Sequence, residues 1–554
     1  MSRPDARASA PSAASAPPPT AGGASALGGA PAAILLTAFC EGLCVLVVEI
    51  AGARAVAPFF GASLRVWTSQ ITATLLFLAL GYGFGGRLSR RQEAGAGTGG
   101  TLALSGVFWA AGLWLGLFPW IRVLVLQACA GAGVALGSLL ASAWLFGPAL
   151  LCLGAVSPLL IRVLEQRRGD GQGGSAAGSI FFTNTMGGLA GGWLTALVLI
   201  PHVPLRLALL GCGLVLAVLG NLWAWPLRRF AAASAAPLCL LLSLGTAPGP
   251  ARACAMTGAD GVILYSHPSS VGLVQVMDIQ NDGYSKGLAL LVDGITQGGM
   301  DRASGLTAFE FTEYQSYLGW RYHPRARRAL LLGLGSGLLA KQLRARGLDV
   351  DVAEIEPRME FVARGYFGLP SDVRVHLEDA RAFLNASSGT WDLVFLDAFS
   401  GENTPWYLLT REGLQAIRAR LAPGGRLLVN TVTRPDGSPG LDRVEAGLLD
   451  VFGEARVYVD AAEEGAPDLV NACLVAGTGL RDGGDPGADG AYTGEAVDRV
   501  RAKTQAFALR GRACRAGARV CSDDFSDLDD AEAGLRLEWR KAVLGQLGPQ
   551  VLGD

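Results

Sequence analysis

Histidine is scarce in this chain of 554 residues, and its four copies lie far apart in the sequence. Without a histidine cluster or another set of residues at metal-ligand spacing, we expect no metal site and assign no chemistry to histidine. Charge of one sign is also lacking, because 46 Lys and Arg stand against 47 Asp and Glu. The formal net charge of -1 therefore predicts no nucleic-acid partner.

The chain also lacks a regular cysteine framework and a signal-peptide pattern. Residues 1–30 consist mainly of Ala, Pro, Ser and Gly, which predicts a disordered tail. Cys514 and Cys521 are close enough in sequence to form a disulfide, which would indicate an exported domain. In a cytoplasmic domain the same two residues would be thiols, so the sequence leaves both states open.

Long apolar runs dominate residues 31–248 and predict a transmembrane domain of about eight helices. Each run approaches the roughly 20 residues that cross a hydrocarbon core. A count of seven remains open, because the apolar stretch through 121–164 is nearly continuous. The predicted spans are 32–50, 67–86, 101–119, 123–141, 143–164, 178–200, 205–225 and 231–247.

The second half of the chain contains an apolar run that breaks into a glycine turn, with Gly333, Gly335 and Gly337 before a helical pattern. This order predicts a buried strand, a tight turn and a helix N-terminus whose backbone N–H groups can approach a ligand. A second predicted strand ends in Glu354, at the distance expected for a carboxylate that binds ribose hydroxyls.

Two further predicted strands end in acidic residues, the first just before Asp379 and Ala380 and the second at Asp397. Carboxyl ends of parallel strands meet at one edge of a sheet, so these carboxylates should share a crevice with the glycine turn. The fold class is a multi-span α-helical domain followed by an α/β Rossmann-like domain of the methyltransferase type. We expect a small β subdomain at 255–305, the nucleoside-binding catalytic domain at 306–480, and a loop with a helical tail at 481–554.

The order of these motifs resembles the polyamine aminopropyltransferases (spermidine synthases), and in particular the bacterial fused transmembrane spermidine-synthase-like proteins. The resemblance covers roughly residues 260–480 and includes Leu291–Gln297, Glu313–Tyr314, the glycine turn, Glu354–Glu356, Asp379–Ala380 and Asp397. It implies transfer of the aminopropyl group of decarboxylated S-adenosylmethionine to an amine such as putrescine, which gives spermidine and methylthioadenosine. No tightly bound cofactor is implied, and the donor is a cosubstrate.

The resemblance also implies roles for individual residues. Asp397 would be the general base, and Glu354 would hold the ribose, with Asp379 and Ala380 at the adenine. Ser336 and Ser400 stand where the family usually has aspartates, so the amine half of the site departs from the family pattern more than the nucleoside half. The expected ligand contacts in the turn are Gly333, Gly335, Ser336 and Gly337, and the expected amine-side contacts are Glu313, Gln297, Ser400 and Pro405.

Two other functions remain open from the sequence. The fold also allows methyl transfer from intact S-adenosylmethionine, and the missing amine-site carboxylates favour that reading. Alternatively, Glu41 and Glu49, which are costly in hydrocarbon, indicate a membrane transporter or sensor with a nucleoside-binding module.

The expected location is the inner cell membrane, with a cytoplasmic catalytic domain because the adenosyl donor is made in the cytoplasm. Three arginine clusters, near 87–91, 162–168 and 228–229, should all be cytoplasmic. Eight spans would place the second and third clusters opposite the first, which is a conflict. The sequence leaves the acceptor amine and any homo-oligomer open.

Overall fold

A computed structural model of the chain describes most of the apolar half and most of the α/β half. It covers residues 31–61, 64–91, 99–168, 173–224, 253–256, 259–281, 287–399, 404–459, 470–481, 518–524, 526–528 and the single positions 531, 535, 538 and 540. The predicted span 231–247, Ser400, Cys514, most of the predicted C-terminal tail and the first 30 residues lie outside this set.

The described residues of the apolar half fold into a bundle of six long helices. The third predicted span, the fourth and the fifth form only two helices, because the chain turns once, near Gly133, rather than twice. The helices are α1 (Pro31–Phe60), α2 (Leu64–Arg91), α3 (Gly99–Cys129), α4 (Val134–Arg168), α5 (Gly173–Leu194) and α6 (Leu205–Ala224). A π-helical segment, Thr195–Leu199, and one short helical turn, Ile200–His202, follow α5.

Five of these helices, all except α5, are long and apolar enough to cross a membrane. The prediction of eight spans is therefore too high for the described residues, where seven predicted spans correspond to six helices. Pro119 explains the error in part, because it lies at the predicted break after residue 119 but is inside α3, and proline is tolerated in helices of apolar bundles.

Glycines allow the helices to pack backbone against backbone. A Cβ atom at Gly187 of α5 would overlap the Phe39 carbonyl oxygen of α1, and one at Gly191 would overlap the Leu43 carbonyl oxygen. In the same way, a Cβ at Gly85 of α2 would lie 2.5 Å from the Ala155 carbonyl oxygen of α4. Small residues thus provide the close approach that the repeated glycines of α5 predict.

Helices α2 and α4 run parallel, which settles where the arginine clusters lie in the bundle. Near the start of both helices, Ser69 of α2 donates to the Ala135 carbonyl oxygen of α4 at 3.1 Å. Further along both helices, Gly85 of α2 contacts Ala155 of α4. Both helices therefore end at the same end of the bundle, with Arg91 and Arg168 as their last residues. The conflict that an eight-span count creates between the first two clusters is therefore absent from the described residues, and the third cluster, 228–229, lies outside them.

The α/β half contacts the opposite end of the bundle. Arg54 of α1 donates to the Ser269 carbonyl oxygen at 2.7 Å, and Arg540 donates to the Ala57 carbonyl oxygen at 2.6 Å. Arg54 and Ala57 belong to the last turns of α1, next to the start of α2. The first turn of α2 therefore lies close to the α/β half.

A five-stranded antiparallel sheet begins the second half, with its strands in chain order. Because successive strands pair as hairpins, each needs only a short turn. Asp293 and Gly294 form the turn between the last two strands, both with positive φ, and the Asp293 carboxylate accepts from Leu273 N–H at 2.8 Å. The strands are β1 (Ala253–Met256), β2 (Ala259–Pro268), β3 (Leu273–Asn281), β4 (Gly287–Val292) and β5 (Ile295–Asp301).

A seven-stranded sheet of order β11-β12-β10-β9-β6-β7-β8 follows. Its central strands are parallel, whereas β12 pairs antiparallel with both of its neighbours. The chain reverses its direction of travel across the sheet between β6 and β9, so the carboxyl ends of these strands form a crevice. The strands are β6 (Arg328–Leu332), β7 (Asp349–Glu354), β8 (Arg374–Leu377), β9 (Trp391–Leu396), β10 (Leu421–Thr433), β11 (Ala455–Val459) and β12 (Val470–Ala476).

Helices cover both faces of this sheet, and their buried side chains form two apolar clusters. Strand β6 contributes Leu331 to one cluster and Leu330 to the other, as the alternation of side chains along a buried strand requires. The helices are α7 (Glu310–Tyr322), α8 (Leu338–Ala345), α9 (Pro357–Tyr366), α10 (Ala380–Ala386), α11 (Arg411–Arg418) and α12 (Pro439–Phe452).

The glycine contacts of α5 lead to a matched test of bundle packing. We expect Gly187→Ala to lower the stability of the full chain by about 1–3 kcal/mol, because the new methyl group overlaps the backbone of α1. Gly178→Ala on the same helix meets no atom within 4 Å and should be neutral or slightly stabilising. Thermal unfolding of the detergent-solubilised chain measures both; equal effects of the two substitutions would contradict the packing described.

Candidate ligand site at the carboxyl edge of the sheet

The glycine turn after β6 brings the chain very close to the end of β9. Gly333 has φ +100°, and a Cβ there would lie 2.5 Å from the Asp397 carbonyl oxygen. Gly337 has φ +75°, and a Cβ there would lie 2.9 Å from the Ala363 side chain. Both positions therefore require glycine, and the turn leads directly into α8.

Glu354 fixes this turn from the end of the neighbouring strand. Its two carboxylate oxygens accept from Leu334 N–H at 2.9 Å and from Glu356 N–H at 2.8 Å. Burial raises the pKa of Glu354, whereas these backbone hydrogen bonds oppose the rise. A carboxylate has about four lone-pair sites, so about two remain for a ligand in the crevice.

Asp397 lies at the end of β9 and is held by two amide side chains. Asn430 of β10 donates to Oδ1 at 2.9 Å, and Gln315 of α7 donates to Oδ2 at 3.1 Å. Burial raises the pKa of the Asp397 carboxyl, and the two hydrogen bonds oppose that rise. The two amides hold the carboxylate in place, and neither of them is a cation. Its raised pKa makes the carboxylate more basic than an ordinary aspartate.

Asp379 combines a structural role with a place at the site. Its Oδ1 accepts from the backbone N–H groups of Arg381 and Ala382, so it caps the N-terminus of α10. Its Oδ2 accepts from the Tyr407 hydroxyl at 2.7 Å, and the pKa of Tyr407 is raised by burial and by this bond. The carboxylate thus aligns α10 and Tyr407 at the crevice.

These groups line one cavity of about 900 Å³. Three carboxylates, those of Glu354, Asp379 and Asp397, face it, and no Lys, Arg or His lies among its described lining residues. Phe309, Trp406 and other apolar side chains form much of the remaining wall. The cavity therefore favours a cationic ligand that also has apolar or aromatic parts.

Most of the predicted contacts line this cavity. These are Gly333, Gly335, Ser336, Glu354, Asp379, Ala380, Asp397, Gln297 and Pro405. Gly337 supports the turn from behind, against α9, and is not part of the wall. Ser400 lies outside the described residues.

Glu313 is not among the residues that line the cavity, which corrects its prediction as an amine ligand. Its carboxylate accepts from Gln342 and pairs with Arg346 at 3.5 Å, so it joins α7 to α8. The preceding residue, Thr312, lines the cavity instead, because one step along a helix rotates a side chain by about 100°. Asp523 pairs with Arg381 and Thr410 and is not in the described wall.

Sequence reasoning missed the two amides that hold Asp397. Asn430 interrupts the apolar strand Leu427–Val429, and a polar residue in such a strand indicates a buried hydrogen bond. Gln315 follows Glu313 by two positions on α7, but only the packing of that helix under β9 and β10 shows that it reaches Asp397. The contribution of Leu64 and Trp67 from α2 to the cavity was also missed.

The fold and the site together define a Rossmann-like α/β domain with an acidic ligand crevice at the carboxyl edge of its sheet. No family model matches the chain. Residues of the chain are 34% identical over 154 residues to the polyamine aminopropyltransferase of Vibrio vulnificus, which covers 26% of this chain and 50% of that protein. They are 28% identical over 394 residues to polyamine aminopropyltransferase 2 of Streptomyces coelicolor, which covers 64% of this chain and 66% of that protein.

The comparisons confirm the resemblance to the polyamine aminopropyltransferases that the motifs indicate. The chain spans only about half the length of the Vibrio relative. The alignment with the Streptomyces relative covers 64% of the 554 residues of this chain. Only 300 residues follow Cys254, so the aligned residues cannot all belong to the α/β half, and the alignment reaches into the apolar half.

Other relatives extend the comparison beyond aminopropyl transfer. The N-terminal histidine N-methyltransferase of Emericella nidulans is 34% identical over 160 residues, or 27% of this chain and 28% of that protein. Among solved structures, a probable spermidine synthase from Corynebacterium glutamicum aligns with a TM-score of 0.37 and 20% identity, over 48% of this chain and 95% of that one.

Proposed function

We propose that the chain is a membrane-anchored aminopropyltransferase that uses decarboxylated S-adenosylmethionine as cosubstrate. The observation that carries the proposal is the charge of the cavity, with three carboxylates and no basic side chain in its described wall. The decarboxylated donor is purely cationic in its side chain, whereas intact S-adenosylmethionine also brings a carboxylate. A carboxylate in this cavity would lack a charged partner and face three like charges.

The nucleoside half of the donor fits the groups at the turn. The two free lone-pair sites of Glu354 match the two ribose hydroxyls, and Asp379 with Ala380 lies one strand further along the edge, where adenine would follow. The glycine turn lets the ligand approach the backbone closely. These assignments are part of the proposal.

Asp397 is the proposed general base. A protonated amine has no lone pair, so one proton must leave its nitrogen, and the Asp397 carboxylate, with its raised pKa, is suited to accept it. The amine nitrogen then attacks the methylene carbon bound to the sulfonium. A C–N bond forms, the C–S bond breaks, and its electron pair returns to sulfur, which leaves neutral methylthioadenosine.

Methyl transfer from intact S-adenosylmethionine is the second candidate. The similarity to a histidine N-methyltransferase supports it, as does the absence of aspartates at Ser336 and Ser400. The charge of the described cavity wall favours the first candidate, and donor preference separates the two.

We further propose that the helical bundle anchors the enzyme in a membrane. Five of its helices have the length and hydropathy for this. Their outward surfaces carry large apolar side chains, such as Trp144 at 63% exposure and Phe182 at 67% exposure, which water would solvate poorly.

Replacing the base gives the direct test. We expect Asp397→Asn to bind methylthioadenosine about as well as the wild-type chain but to lower aminopropyl transfer by about 10²–10⁴-fold, because the amide cannot accept the proton. Binding is measured by calorimetry on the detergent-solubilised full chain, and transfer by release of methylthioadenosine. Asp523→Asn, a carboxylate away from the described wall, is the control and should remain active. Full transfer by Asp397→Asn would exclude Asp397 as the base.

The raised pKa of Asp397 predicts an acid limit to the pH profile. Because the pKa of Asp397 is raised, its carboxyl becomes protonated at a higher pH than an ordinary aspartate. The active carboxylate form is therefore lost at a higher pH when the solution is acidified. Asn430→Ala removes a hydrogen bond that opposes the rise, so the acid limb should move to higher pH by about one unit. Asn471→Ala, which lines the same cavity without bonding to Asp397 in the described contacts, should not move it. An unmoved limb in Asn430→Ala would contradict the assignment.

A further inference from the structure

A helix of the bundle forms part of the wall of the catalytic cavity. Leu64 and Trp67, in the first turn of α2, line the same cavity as Asp397. Helix α2 is one of the five helices long and apolar enough to cross a membrane. Its first turn is one end of this candidate span, and tryptophan is enriched at the ends of spans in membrane proteins.

Apolar side chains from both halves remain exposed at this part of the cavity. Leu64 is 74% exposed and Trp67 37% exposed, while Trp406 is 37% exposed and Phe309 36% exposed in the α/β half. Together they form an apolar strip from the start of α2 to the site, which we call the α2 strip. Such a strip is stable against water when lipid or an apolar ligand covers it.

The charge of the cavity suits an acceptor with a single amine. Glu354 and Asp379 already bind backbone N–H groups, and the donor brings two positive charges, its sulfonium and its terminal ammonium. Next to Asp397, Asn430 Oδ1 is a buried acceptor that receives no hydrogen bond within the described residues. For a second ammonium on the acceptor, the described wall has no carboxylate beyond Glu354, Asp379 and Asp397.

We propose that the acceptor is an amphiphilic primary amine, with one ammonium group and an apolar chain, that enters from the membrane surface along the α2 strip. The ammonium binds at Asp397 and Asn430, and the chain lies on Leu64 and Trp67. This inference rests on the aminopropyl transfer proposed above.

The test compares acceptors on the full chain in lipid vesicles, with decarboxylated S-adenosylmethionine as donor. Linear primary amines of four, eight and twelve carbons are measured beside putrescine. We expect kcat/KM to rise by about fourfold per added methylene that the strip covers, and the best alkylamine to exceed putrescine at least tenfold. Trp67→Ala should remove most of this gain through KM, while Trp144→Ala, an exposed tryptophan of α4 outside the described wall, should retain it.

The outcomes separate this inference from the proposed function. A preference for putrescine, or a chain-length gain that Trp67→Ala leaves intact, would overturn the inference and leave aminopropyl transfer standing. If no amine releases methylthioadenosine from the donor, aminopropyl transfer itself fails.

A second inference concerns the side of the membrane and rests on the arginines at the two ends of the bundle. Arg87, Arg90 and Arg91 close α2, and Arg162, Arg167 and Arg168 close α4 at the same end. Helix α6 also ends there, because Trp223 near its last residue donates to Thr37 near the start of α1 at 3.2 Å. Six arginines of the described residues therefore lie at this end, and Arg228 and Arg229, which follow α6 in the sequence, lie outside the described residues.

Among the described residues of the bundle, the end that contacts the α/β half has four arginines, of which three are buried or half-buried and Arg65 is exposed. Arg54 donates to the Ser269 carbonyl oxygen, and Arg122 donates to the Ala55 carbonyl oxygen at 3.3 Å. Arg206 is 8% exposed, and Arg65 belongs to the first turn of α2. The excess of arginine therefore lies at the end remote from the α/β half.

The connection to the α/β half agrees with this arrangement. Helix α6 ends at the arginine-rich end, and the next described strand begins at Ala253 in the half that contacts the other end. The 28 residues between them lie outside the described residues, and their sequence includes the predicted span 231–247.

We infer that the arginine-rich end is cytoplasmic and that the α/β half lies on the other face of the membrane, because Lys and Arg concentrate on the cytoplasmic side. This is opposite to the expectation based on the origin of the adenosyl donor. It requires that donor and acceptor be available on the non-cytoplasmic face.

Epitope tags placed in the 92–98 segment and after Asp554 test the orientation in the full chain, expressed in a bacterial host. In spheroplasts with an intact inner membrane, an added protease should remove the C-terminal tag and leave the internal tag protected until detergent is added. The reverse pattern, or protection of both tags, would place the α/β half in the cytoplasm and overturn the inference.

Discussion

The ligand site depends on the contact between the glycine turn after β6 and the end of β9. Gly333 can lie against the backbone of Asp397 and Ala398 only because it has no side chain and its φ of +100° is accessible to glycine. This approach places Asp397 beside the turn and leaves Glu354 to bind the Leu334 N–H group from the other side. A larger residue at position 333 would separate the two strands' ends and with them the proposed base and nucleoside subsites.

Buried amides then determine what Asp397 can do. Burial alone would leave the carboxyl protonated to high pH, and a neighbouring cation would make it a weak base. Asn430 and Gln315 provide hydrogen bonds without charge, which keeps the carboxylate accessible and basic. In the same arrangement Asn430 Oδ1 accepts no hydrogen bond from the described residues, so it can accept one from a ligand. Polar residues on β10 and α7 thus connect the core of the domain to the proposed chemistry.

The fold was largely predictable because its signals are local. The apolar run before Gly333, the glycine turn and the carboxylate at Glu354 follow one another within a βαβ unit, where sequence spacing dictates geometry. Glu313 was misplaced because neighbouring positions on a helix point in different directions, and only the packing of α7 decides which one reaches the cavity. The predicted break after residue 119 was wrong because hydropathy cannot distinguish a helix end from a proline inside a long helix, here Pro119 of α3.

The sequence by itself determined the two-part architecture, the order of strands along the α/β half and the acidic strand ends, since each follows from hydrophobic periodicity and turn chemistry over short distances. Tertiary structure alone decided which polar groups meet. Gln315 reaches Asp397 from 82 residues away, α2 forms a wall of a cavity built about 300 residues later, and the arginines of α2 and α4 gather at one end of the bundle. Such contacts depend on how helices cross and pack, which no local pattern encodes.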